Sequence, residues 1–342
     1  MPWREPVRGG YPDRGLFGLS GLELLRLLID AAAPPPPISH LCGMTLTEAG
    51  PGSATFMMPA TGWLLGSNGT ISVGALAMLA DGPLGCAVHS ALPRATGYVT
   101  SEMSLRLLRA AQPGQDLLAH GTLVHAGSPV ALSGVKIVDA RGALLVDASS
   151  LCFVTPLPEL AQDAAPSPRP PSQPPTTPDP FEREPLGAIV AREAWEQMSG
   201  RAVLEALIAG ELPPPPIQCL TGVRPVEAGA GEAAFALPCH EWLCSPLGTV
   251  EGGAIAMLAD AAITGAIQTT APAGAPMTAV DLKVNFLRPV QPDGRELVAR
   301  GHVRHGGRTI AVAEAELVNA EGRPVALATG SAMLLETTPA EE

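Results

Sequence analysis

One stretch of this sequence occurs twice. Pro34-Pro35-Pro36-Pro37-Ile38 returns as Pro213-Pro214-Pro215-Pro216-Ile217, an offset of 179 residues. The same offset carries Trp63 onto Trp242, Gly69 onto Gly248, Gly74 onto Gly253, Ala80-Asp81 onto Ala259-Asp260 and Leu108-Arg109 onto Leu287-Arg288. One inserted residue near Asp293 raises the offset to 180, which pairs His125 with His305 and Gly142 with Gly322. A register that slips once over roughly 130 residues marks a duplicated domain, not low complexity. At 342 residues the chain has room for two domains of ordinary size. Between the copies, residues 156–180 are so rich in proline that they have few donors and no apolar face, the composition of a solvated, semi-stiff linker. The expected division is domain 1 at 16–155, linker at 156–185 and domain 2 at 186–336.

Each copy reads alike. An amphipathic helix (Gly21 to Ala33; Gly200 to Ala209) stops at the proline run, and a short strand follows (Ser53 to Met58; Glu232 to Leu237). Next comes Gly74-Ala-Leu-Ala-Met-Leu-Ala-Asp81, or Gly253-Ala-Ile-Ala-Met-Leu-Ala-Asp260, apolar on nearly all sides as in an enclosed helix. Pro83 is expected to interrupt the first of these helices. Alternation then predicts strands: Leu282, Val284 and Phe286 face one way, Asp281, Lys283 and Asn285 the other. The order α-β-α-β-β-β-β, with one buried helix against an antiparallel sheet, is an α+β domain.

Charge and cysteine usage narrow the partners. With 21 Lys+Arg against 33 Asp+Glu, the net charge of −12 argues against duplex nucleic acid or an anionic membrane, which demand a basic face. The six cysteines form no CxxC pair and no zinc spacing, so buried thiols in a reducing cytoplasm are expected, without a metal or other cofactor. The most apolar stretch, Val73 to Leu92, holds Asp81, Gly82 and Pro83, which a membrane span would resist at mid-depth.

Two features carry chemistry. Asp81 and Asp260 lie inside apolar helices, where an unpaired carboxylate costs several kcal/mol unless it is paired or a site opens onto it. Gly252 and Gly253 open a helix, and glycines there let an oxygen that becomes an oxyanion approach free N–H groups. Donors on one side and a base for water on the other describe a hydrolytic site.

Thr249-Val-Glu-Gly-Gly-Ala-Ile-Ala-Met-Leu-Ala-Asp260 resembles the helix-start motif of the PaaI-like group of hotdog-fold acyl-CoA thioesterases, Gly-x-x-His-Gly-Gly, four residues, Leu-x-Asp. Asp281 to Pro289 resembles the strand that follows, and His305-Gly-Gly-Arg-Thr309 the next hairpin. The resemblance implies two tandem hotdog domains clasped as a double hotdog, with thioester sites at their interface. The glycine N–H groups of one copy would then face the carboxylate of the other. Both copies lack the motif's His: copy 1 has Ser72-Val73-Gly74 and copy 2 Glu251-Gly252-Gly253. The family's upstream polar residue falls on Gly66 and Ser245, and a Ser or Thr of the acidic strand on Thr100 and Ala279. Gly252, Gly253 and Ser245 with Asp81 and Thr100 therefore make the better-equipped site. Val73 is expected to crowd the other, while Thr264, one turn beyond Asp260, keeps that acid in play.

The activity implied is hydrolysis of an acyl-CoA, with the aspartate as general base or nucleophile. Arg304, His305, Gly306, Gly307 and Arg308 are the residues expected to meet the phosphates of CoA. Two chains are expected to pair as a homodimer or larger assembly. The alternatives are a double hotdog that binds acyl-CoA or an acyl carrier without turnover, and a hotdog enoyl-CoA hydratase. The hydratase would need an Asp/His dyad that the motif positions lack.

Overall fold

A computed structural model describes residues 1–157 and 177–334. The middle of the expected linker, residues 158–176, and the last two residues of expected domain 2 lie outside the described residues.

Repeat 1 comprises α1 (Gly21–Ile29), α2 (Pro37–Cys42), β1 (Thr45–Gly50), β2 (Ser53–Pro59), α3 (Val73–His89), β3 (Thr96–Leu107), β4 (Asp116–His125), β5 (Val130–Val138) and β6 (Leu144–Pro156). Repeat 2 comprises α4 (Arg192–Gln197), α5 (Gly200–Ala209), α6 (Pro216–Thr221), β7 (Arg224–Gly229), β8 (Glu232–Pro238), α7 (Gly252–Gln268), β9 (Met277–Phe286), β10 (Glu296–Gly306), β11 (Ile310–Val318) and β12 (Pro324–Leu334). Sequence reasoning found neither α2 and α6 nor β1 and β7. The proline runs that stop α1 and α5 also start new helices, since Pro37 and Pro216 sit where a missing N–H costs nothing. Gly43 and Gly222, at φ +77° and +80°, end these one-turn helices. Strands β1 and β7 are short edge strands with a bulge each, so their alternation is broken.

The strands form one antiparallel sheet in the order β1-β2-β4-β5-β6-β3-β9-β12-β11-β10-β8-β7. The repeats join along β3 and β9, where Ser104 faces Lys283, its own counterpart under the repeat offset. A local two-fold axis therefore passes through that pair. Each half of the sheet covers one long helix, and α3 and α7 lie in a single apolar core. Contrary to expectation, α3 continues through Pro83 to His89. Enclosure of that helix by sheet on several sides outweighs the ~3 kcal/mol cost of an interior proline.

At the axis α3 and α7 cross closely. A Cβ on Gly253 would lie 2.6 Å from the Met78 Cα, and one on Gly74 would overlap the Met257 side chain. Gly253 and Gly74 thus both serve helix packing; sequence reasoning had used the Gly253 N–H for the ligand.

The segments preceding the repeats cross over reciprocally. Trp242 donates its indole N–H to the Glu5 carbonyl at 3.0 Å, and Trp63 donates to the Arg183 carbonyl at 2.8 Å. Both indoles are fully buried. The two segments also bind each other: Arg183 pairs with Glu5 at 2.7 Å and Arg8 with Asp179 at 2.8 Å. Residues 177–185, expected in the linker, are thus held against repeat 1.

Replacing Gly253 by Val is expected to destabilise the chain by about 2 kcal/mol or more, because backbone cannot yield as a flexible side chain does. Urea denaturation would read this as a lowered midpoint; an unchanged midpoint would contradict the close crossing.

Candidate active site

The crossing sets the start of each long helix beside an acid of the other repeat. At the start of α7, Asp81 Oδ2 accepts the Gly253 N–H at 2.9 Å, and the Gly252 N–H also favours the charged form of this carboxylate. A Cβ on Gly252 would come within 3.0 Å of Asp81 Oδ2, so this glycine admits the carboxylate. Burial pushes Asp81 up to about 6, and the two N–H groups pull it back. The juxtaposition of Gly252, Gly253 and Asp81 is the expected one. Its consequence differs, because the carboxylate itself occupies the donors that a thioester oxygen would need.

Glu251 explains why. It is the N-cap of α7, and its side chain makes no capping hydrogen bond. It is 7% exposed, its Oε2 has no partner, and burial together with the Asp81 charge pushes it well above the usual carboxylate range. A neutral Glu251 leaves the helix start uncapped, and Asp81 supplies the missing acceptor from across the interface. Sequence reasoning noted Glu251 only as the loss of a His; its buried place before two glycines was the available signal.

The other expected members of this site have different partners. Ser245 sits in the tight turn before α7, where its hydroxyl accepts the Leu247 N–H at 3.3 Å. Thr100 lies on β3 with its hydroxyl 4.0 Å from the Cys152 sulfur. Neither bonds Asp81.

At the start of α3 the arrangement is open. Ser72 caps this helix itself, its hydroxyl accepting the Ala75 N–H at 3.1 Å. Among the described residues, the Val73 and Gly74 N–H groups have no acceptor. Asp260 is 9% exposed, its carboxylate accepts no hydrogen bond, and burial alone pushes it up to about 7. A cavity of about 130 Å³ is lined by Asp260 and Thr264 from α7 and by Gly66, Ser72 and Gly74 from repeat 1. Thr264 donates its hydroxyl hydrogen to the Asp260 carbonyl at 2.7 Å, which leaves its oxygen free to accept.

Arg304, His305, Gly306, Gly307 and Arg308 form the β10–β11 hairpin. Arg304 pairs with Glu314 and Arg300 with Glu227. Gly307 closes the turn: its N–H donates to the Ile310 carbonyl at 2.9 Å, and a Cβ there would lie 2.8 Å from that oxygen. A phosphate bound at Arg304 would have to displace Glu314. All six cysteines are free thiols, and no group of three or more His, Cys, Asp or Glu that could hold a metal ion occurs among the described residues. No described helix is long and apolar enough to cross a membrane.

The sequence pattern of the Thioesterase superfamily matches residues 68–146 and again 247–326, in the register of the repeat. Acyl-coenzyme A thioesterase 13 of Mus musculus is 32% identical over 100 residues, 29% of this chain and 70% of its own. A Halobacterium salinarum protein is 34% identical over 118 residues, 32% of this chain and 76% of its own. The chain also resembles the crystal structure of an acyl-CoA thioesterase II from Mycobacterium marinum, with a TM-score of 0.52 at 13% identity over 89% of this chain and 99% of that one. The chain belongs to the Thioesterase superfamily. It is a thioester hydrolase built from two hotdog domains in tandem.

Asp260 yields a stability prediction. Its folded pKa of about 7 lies above the ordinary 3.8, so the native state holds this proton more tightly than the unfolded state. The resulting stabilisation is complete below the unfolded value and is lost as pH rises through about 7. Asp260→Asn should therefore gain stability relative to wild type between pH 4 and pH 7, by up to a few kcal/mol. Unfolding midpoints of both proteins at the two pH values check this; a constant difference would place Asp260 in contact with water.

Proposed function

We propose that the protein hydrolyses an acyl-CoA to free acid and CoA at the Asp260 cavity. The observation that carries this reading is the unpartnered Asp260 carboxylate lining one cavity with the start of α3. The thioester carbonyl points at the Val73 and Gly74 N–H groups. Water lies between Asp260, which takes one of its protons, and the Thr264 oxygen, which accepts the other hydrogen. The water oxygen bonds to the acyl carbon, and the oxyanion is met by two N–H groups and the positive end of α3. Collapse breaks the carbon–sulfur bond and releases the CoA thiolate, with the water proton held on Asp260. The likeness to acyl-coenzyme A thioesterase 13 supports CoA as the carrier. Asp81 acts in this scheme as the cap that joins the repeats.

Asp260→Asn is expected to lower kcat/KM by about 10²–10⁴, the usual worth of a positioned base. Asp81→Asn should lower it several-fold at most. In the wild type, kcat/KM should rise with pH through about 7 as Asp260 ionises. Thiol release from a panel of acyl-CoA esters reads all three. Loss of turnover in Asp81→Asn with Asp260→Asn still active would move the chemistry to the start of α7, and binding without turnover in the wild type would leave only a binding protein.

A further inference from the structure

The Asp260 cavity continues along one face of α7, past Thr264 to Gln268, and is walled by Leu204 and Leu207 of α5 and by Phe235 of β8. The repeat offset places Asp81, Gly85 and His89 of α3, Leu25 and Leu28 of α1, and Phe56 of β2 around the corresponding volume of repeat 1. Tyr98 reaches the helix face that bounds it. A Cβ on Gly85 would overlap the Tyr98 hydroxyl, so the phenol rests directly on the helix backbone, one turn beyond Asp81. Its ring lies 5.8 Å from that of His89, a further turn along. Repeat 2 has Thr264 in place of Gly85 and Met277 in place of Tyr98, so its helix face carries a side chain and its strand sends no ring.

Phe56 and Phe235 are the matching aromatic residues of the two repeats. Its ring lies 3.0 Å from where a Gly82 Cβ would be, right beside Asp81. The matching Phe235 rests instead 2.6 Å from the Cβ position of Gly265, one turn further from its acid. That position is Cys86 in repeat 1.

We propose that Tyr98, seated on Gly85, fills the acyl channel of repeat 1 and excludes any acyl chain that extends more than one helical turn past Asp81. Each chain then takes a longer acyl group at Asp260 alone. Tyr98 is a specificity-determining residue: it leaves the reaction to the other half and fixes how many acyl chains one polypeptide holds. The inference rests on reading the Asp260 cavity as the acyl site.

Calorimetric titration with S-octyl-coenzyme A, a thioether that cannot be hydrolysed, tests it on the intact chain. Wild type is expected to bind one equivalent per chain and Tyr98→Ala two. The reciprocal change, Thr264→Gly with Met277→Tyr, transplants the plug into repeat 2 and should abolish the wild-type equivalent; it carries the test if Tyr98→Ala fails to fold. Two equivalents in wild type, one in a folded Tyr98→Ala, or an unaltered equivalent in the reciprocal variant would each overturn the proposal. Absence of binding in wild type would instead overturn the acyl-site reading on which it rests.

Discussion

Helices α3 and α7 pass each other with Met78 against Gly253 and Met257 against Gly74, so neither backbone can carry a Cβ where they meet. That approach brings the start of each helix beside an acid two turns along the other. It also fixes the joining of the sheet at β3 and β9, because both long helices must be covered by one continuous layer. The crossed leading segments reinforce the same geometry, each delivering a backbone carbonyl to the buried tryptophan of the opposite repeat. A wider crossing would separate acid from helix start and leave both sites without chemistry.

Symmetry of the frame did not keep the two sites alike. Ser72 caps α3 with its own hydroxyl, so Asp260 stays free. Glu251 is too long and too deeply buried to cap α7, and Asp81 takes over that task. One carboxylate is an acceptor between the halves, while the other lines a cavity without a hydrogen-bond partner. The difference follows from one residue before each glycine motif, amplified by the aromatic residues of repeat 1.

Much of this was legible in the sequence. The repeat, the two enclosed helices and the β9 strand announced themselves through an offset, an unbroken apolar run and strict alternation. The pairing of Asp81 with Gly252 and Gly253 followed from the family motif. What was hidden depended on side-chain direction. Ser72 is a favoured N-cap type and Glu251 is not, but neither residue says that Asp81 supplies the acceptor at α7. Gly85 and Tyr98 stand 13 positions apart and meet only when β3 folds over α3. Gly253 looked like a ligand contact because Met78, against which it packs, lies 175 positions away in the chain.

The central claim is that a thioester is held between the start of α3 and Asp260. A crystal structure with a methyl-ketone analogue of an acyl-CoA, in which CH2 replaces the sulfur, tests it most directly. The account predicts the ketone oxygen about 3 Å from the Val73 and Gly74 nitrogens, with the acyl chain running beside Asp260 and Thr264. An analogue seated at Gly252 and Gly253 opposite Asp81, or away from both helix starts, would contradict it.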